Sequence, residues 1–225
     1  MFSGSLPIHH GILTSFCPRC VLVGDAGRLK TKMLLAYSAG QLSKKYVPTI
    51  FPNHALTVRV GGDAYTIGLF DTAGQEDYSS LRARMYPKTD IFLLCSDLER
   101  SEQFDSVPKW MLELEQCPQA LKVLVGVTDP EDSDDEDENE EVEEHVGMNE
   151  REKERARRRM LAREHSALSY LECDVRAPET VMDVFSEAIA AVIERRLRTR
   201  ERRRKSDVAR RWLRALLPIA EVGGH

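Results

Sequence analysis

An acid at the end of an apolar run is the first place where this sequence offers chemistry. Ile67-Gly68-Leu69-Phe70 leads into Asp71, then Thr72-Ala73-Gly74, then a polar stretch carrying Gln75 and Tyr78. A parallel sheet presents a carboxylate to a ligand in this way, at the carboxyl ends of its strands. A strand, a glycine turn and a polar loop would be the plainer account. Upstream, Gly24-Asp25-Ala26-Gly27-Arg28-Leu29-Lys30-Thr31 lies between the apolar run Cys20 to Val23 and a helically spaced stretch with Met33, Leu34, Leu35 and Tyr37. Strand, small-residue loop, Lys-Thr and helix are the parts of a phosphate cradle. Helix-start amides and Lys30 hold phosphate oxygens there, and the Thr31 hydroxyl reaches a magnesium ion. The usual spacing puts glycine directly before the lysine. Here Leu29 takes that place, a branched side chain expected to narrow the cradle, and Gly27 is positioned to compensate by shifting the loop.

The elements that must position these residues follow from pattern. The chain has 225 residues, enough for one domain with tails. No apolar run approaches the roughly 18 residues of a membrane span. Residues 1–16 lack the pattern of a signal peptide, and five cysteines at irregular positions imply reduced thiols in an intracellular compartment. Cys17 and Cys20 form a lone CxxC, weak grounds for zinc without a second pair. Two runs, 55–60 and 64–70, joined by Gly61-Gly62-Asp63, predict a hairpin feeding Asp71. Further strands are predicted at 91–95, 121–126 and 168–173, a short helix at 79–85, and one amphipathic helix over 101–115 that buries Trp110 in the core. The expected class is α/β: a mainly parallel sheet with helices on both faces.

The net charge of -5 conceals segregation, with acids packed from Glu131 to Glu144 and bases from Arg195 to Arg214. The division expected is a disordered arm over 1–19, a domain over 20–195 interrupted by a flexible acidic insert at 130–147, and a basic amphipathic extension over 196–225. Such an extension suits an anionic membrane surface, and equally a solvated continuation, a partner helix or a clamp on the acidic insert. Nucleic acid is the weaker alternative.

Asp71-Thr72-Ala73-Gly74-Gln75-Glu76-Asp77-Tyr78 resembles the second switch of the Rho family of small GTPases, and Tyr46-Val47-Pro48-Thr49-Ile50-Phe51 resembles the first. The resemblance implies a P-loop NTPase fold of small GTPase type and a switch that binds GTP and GDP with magnesium. It implies that Gly24, Asp25, Ala26, Gly27, Arg28, Leu29, Lys30 and Thr31 cradle phosphate, that Thr31 and Thr49 hold the metal and that Asp71 supports it. Tyr46 covers the nucleotide, Gly74 senses the terminal phosphate and Gln75 orients the attacking water. Effectors and regulators would dock on 46–54 and 71–87.

Departures mark the base end of the site. Leu42 replaces an aromatic, Pro52 and His54 stand where effectors find an aspartate and a tyrosine, and the guanine-reading segment is shortened to Val127-Thr128-Asp129-Pro130. Asp129 fits a base reader and a strand-end turn residue equally well. Asp174 and Val175 occupy the loop beside the base, where a backbone amide contacts the base edge whatever its side chain. The C-terminus carries no prenylation cysteine, so a cytoplasmic protein with peripheral membrane contact would need another anchor. Two functions follow: a GTP-hydrolysing switch, or a pseudo-GTPase that keeps the fold as an interaction surface.

Overall fold

A computed structural model describes residues 17–41, 53–60, 63–100, 102–129 and 148–216. The strands are β1 (Arg19–Val23), β2 (Asn53–Val60), β3 (Asp63–Asp71), β4 (Ile91–Asp97), β5 (Leu121–Thr128) and β6 (Ser169–Asp174). The helices are α1 (Leu29–Gln41), α2 (Ser79–Ala83), α3 (Glu102–Asp105), α4 (Val107–Glu113), α5 (Met148–Glu164) and α6 (Pro178–Leu216). One six-stranded sheet runs β2-β3-β1-β4-β5-β6. The hairpin pair β2–β3 is antiparallel and every other pairing is parallel.

Side chains alternate across the strands and so feed two cores. Cys20 and Leu22 of β1 join Leu93 of β4 against α1 and α6, while Val21 and Val23 join Phe92 and Leu94 against α4 and α5. Tyr37 of α1 stacks on Phe185 of α6 with ring centroids 4.0 Å apart. This double burial explains why the strands read as continuous apolar runs. From β1 the chain passes to one side to reach β3 and then to the other to reach β4. The loops after β1 and β4 therefore face a crevice at the switch point of the sheet.

Two expectations change, and one of several open alternatives, the solvated continuation of the last helix, is what the described residues show. The single helix over 101–115 divides into α3 and α4 with a closing 3-10 turn at Leu114–Gln116. Pro108 in the first turn of α4 has no N–H to continue a helix from α3. Strand β5 runs two residues beyond the apolar run, taking in Val127 and Thr128. The final helix continues through the basic region as one 39-residue element, about 58 Å at 1.5 Å per residue, and residues 196–207 are exposed throughout. Among the described residues no helix is long and apolar enough to cross a membrane.

Candidate functional site

The loop between β1 and α1 turns on two glycines. Gly24 has φ 138°, and a Cβ there would lie 2.1 Å from the Cys95 carbonyl oxygen; Gly27 has φ 147°. Gly27 thus supplies the turn two positions earlier than usual. Leu29 opens α1, packs against the core and also lines the recess beside the loop. It therefore forms part of the wall of the recess, at the place where the usual spacing puts glycine. Lys30 is buried, and its Nζ donates to the carbonyls of Gly24 at 3.1 Å and Asp25 at 2.5 Å. Burial lowers the Lys30 pKa, against the pull of Cys95, Asp71 and Asp25. The recess is lined by residues 25–30 and by Cys95, Ser96, Asp97 and Arg100 at the end of β4.

The strand end of β3 arrives at the same place. Thr31 Oγ1 donates to Asp71 Oδ2, joining the two residues that the sequence placed 40 positions apart. Asp71 Oδ1 is buried with no hydrogen-bond partner among the described residues. An orphaned carboxylate oxygen beside a threonine hydroxyl fits a magnesium ion, which takes few protein ligands and completes its shell with phosphate oxygens and water. No group of three or more His, Cys, Asp or Glu that would suit a metal exists among the described residues. A cation here would therefore rely on Asp71, hydroxyls and phosphate.

Beyond Asp71 the chain is folded back on the cradle. A Cβ on Gly74 would come within 2.3 Å of the Asp25 carbonyl carbon and 2.4 Å of the Ala26 nitrogen, so only glycine lets the two loops touch. Gln75 is exposed. Its carbonyl and that of Ala73 accept from Arg82 Nη1 at 3.0 and 2.7 Å. Arg82, 3% exposed, forks onto Glu113 of α4 with two 2.9 Å bonds and stacks over Trp110 at 4.5 Å. Bonding to Glu113 raises the Arg82 pKa. Burial raises that of Glu113, but the Arg82 and Tyr86 hydrogen bonds outweigh it and leave the carboxyl lowered.

Trp110 is core, as expected, yet its indole N–H also donates to Asp25 Oδ1 at 2.8 Å, while Ser106 Oγ donates to Oδ2 at 2.5 Å. Sequence reasoning missed this use of Asp25 and missed Arg82 altogether. The available signal was a lone arginine inside the short helix α2.

At the far end of the crevice, Asp129 follows β5 directly and is buried. Its Oδ2 accepts from Lys32 Nζ at 2.5 Å. Asp129 thus stands at the strand end and is ion-paired to α1. Thr128 Oγ1 donates to Glu99 Oε1 at 2.5 Å, and its carbonyl accepts from the Val175 amide at 3.1 Å. Asp174 Oδ1 accepts from the Arg176 amide at 2.8 Å. In the loop where a backbone amide was expected at the base edge, the Val175 amide is thus paired within the protein. Tyr46, Thr49, Leu42 and residues 46–52 of the docking surface lie outside the described residues, as does the acidic insert.

The structure thus brings together Gly24 to Thr31, Asp71 and Gly74, with Gln75 beside them and Thr128, Asp129, Asp174 and Val175 along the same sheet edge. Compared with models of known protein families, residues 19–194 match the Ras family.

Proposed function

The chain belongs to the Ras family, and from that premise we propose that this small GTPase is a Rho-like switch that hydrolyses GTP with magnesium. The observation that carries the proposal is the meeting of Thr31 and Asp71 beside the buried Lys30, with Gly74 packed on the phosphate loop. Magnesium bound with the nucleotide would neutralise phosphate charge. In this assignment Lys30 binds phosphate oxygens, Thr31, Thr49 and Asp71 hold the metal shell, and Tyr46 covers the nucleotide. Gly74 contacts the terminal phosphate and Gln75 orients water for in-line attack. Nucleotide state then selects effectors and regulators through residues 46–54 and 71–87.

In this account the switch domain starts with β1 at Arg19, one residue before the expected boundary, because Arg19 pairs with Gly68 in the sheet, and it runs to 195, with an extension over 196–225. The exposed bases of α6 support contact with an anionic membrane surface from a cytoplasmic location. A second reading, a pseudo-GTPase serving as an interaction surface, is favoured by the Asp129–Lys32 pair.

Titration of nucleotide-stripped protein with fluorescent GTP and GDP, with and without magnesium, followed by single-turnover hydrolysis, separates the two. The switch predicts magnesium-dependent binding and a hydrolysis rate that drops at least about tenfold in Gln75→Leu. Folded protein with no nucleotide binding establishes the second reading, and unchanged turnover in the variant removes Gln75 from its role.

A further inference from the structure

The corner formed by the end of β5, the loop after β6 and the first turn of α1 is closed on itself. Lys32 lies one position beyond Thr31, so it projects from the same helix start that carries the phosphate cradle. Its ammonium reaches across to a carboxylate whose side chain is 5% exposed, while Lys32 itself is 33% exposed. The neighbouring amides are also used internally. Asp174 N donates to Thr180 Oγ1 at 3.0 Å, Val175 N to the Thr128 carbonyl at 3.1 Å, Arg176 N to Asp174 Oδ1 at 2.8 Å and Ala177 N to the Asp174 carbonyl at 3.1 Å.

A nucleotide with its phosphates on the α1 N-terminus extends along the carboxyl edge of the sheet toward this corner. To read a base there, its N–H groups would have to compete with an ammonium for a buried carboxylate whose Oδ2 is already paired, and its acceptors would have to compete for amides already bonded within the protein. Charge-assisted hydrogen bonds are the costly ones to exchange. Base recognition therefore starts from a deficit, whereas Lys30, the loop amides and Asp71 remain directed at phosphate and its cation.

We propose that Lys32 is the specificity-determining residue of the nucleotide site: by holding Asp129 it leaves the base unread, so that GDP and ADP bind with similar affinity. This rests on the nucleotide site proposed above and concerns its selectivity. Guanine is accepted without being preferred, and the phosphates carry the affinity.

The test uses the full chain, stripped of nucleotide and titrated calorimetrically with GDP, ADP and inorganic pyrophosphate in magnesium buffer. For the unmodified protein the GDP and ADP affinities should agree within about tenfold, a difference under 1.4 kcal/mol. Lys32→Ala, or Lys32→Met where the aliphatic stem is needed for folding, should raise the preference for GDP at least about tenfold by removing the ammonium that competes for the acid. The gain should vanish in Lys32→Ala with Asp129→Asn. A preference for GDP of about a hundredfold or more in the unmodified protein overturns the proposal. So does an unchanged ratio in both Lys32 variants, or a gain that survives the double substitution. Failure of a folded protein to bind even pyrophosphate removes the phosphate site itself and the selectivity proposal with it. Pyrophosphate binding combined with strong guanine preference overturns the selectivity alone.

Discussion

The indole nitrogen of Trp110 donates a 2.8 Å hydrogen bond to Oδ1 of Asp25, fastening the loop after β1 to α4. The same ring carries the Arg82 guanidinium on its face, and Arg82 in turn holds the carbonyls of Ala73 and Gln75. One aromatic side chain therefore links the loop after β1 to the loop that bears Gln75. Trp110→Phe keeps the ring and removes the N–H. Loss of a hydrogen bond to a carboxylate should cost about 1.5–3 kcal/mol, read as a lower urea midpoint with an unchanged slope. A midpoint equal to that of the unmodified protein would show that the bond contributes nothing.

Arg82 is nearly sealed from solvent, and its partner Glu113 is mostly so. Arg82→Ala leaves Glu113 without its main charge partner and should destabilise by about 3–5 kcal/mol. Arg82→Lys restores the charge without the planar fork, so it should recover part of the stability. Single-turnover hydrolysis should stay slow in the lysine variant, because the Ala73 and Gln75 carbonyls lose their shared donor. Full recovery of both properties would reduce Arg82 to a generic cation.

Gly74→Ala places a methyl group against the backbone of Asp25 and Ala26, where no flexible side chain is available to yield. Overpacking of this kind costs about 1–3 kcal/mol. The loops should separate, with a lower melting temperature and a larger loss of hydrolysis than of GDP binding. Wild-type turnover in this variant would mean that the loop contact has no part in the reaction.

Burial raises the thiol pKa values of Cys20 and Cys173 to about 12 from 9.0 and also raises that of Cys95. Unfolded thiols ionise first, so this contribution is complete below pH 9 and is lost as pH rises toward 12. Each thiol steepens the alkaline loss by about 1.4 kcal/mol per pH unit in that window. Lys30, with a lowered pKa, works oppositely, its burial cost easing as pH approaches 10.5. Urea unfolding at pH 8 and pH 10.5 should show a net loss, reduced in Cys20→Ala. An equal loss in the variant would exclude that thiol as a source.

The sequence by itself determined the α/β class, the hairpin and the strands, because each rests on a local period or on residue types at short spacing, whereas the joint use of Thr31 and Asp71, 40 positions apart, was legible only through the family resemblance. Met33, Leu34 and Tyr37 declare a helix face, and Val21 to Val23 a strand buried on both sides, without reference to anything distant. Only the tertiary structure decided how Asp25, Arg82 and Lys32 are used. Their partners lie 85, 31 and 97 positions away, at Trp110, Glu113 and Asp129. No period announces such pairs: charged side chains are neutral to helix and strand patterns, and it is the strand order that sets β1 beside β4 and brings the end of β5 within reach of α1. Asp129 illustrates the division. Its position after an apolar run was legible as a strand end, but whether its carboxylate faced a ligand or a lysine depended on where α1 came to rest.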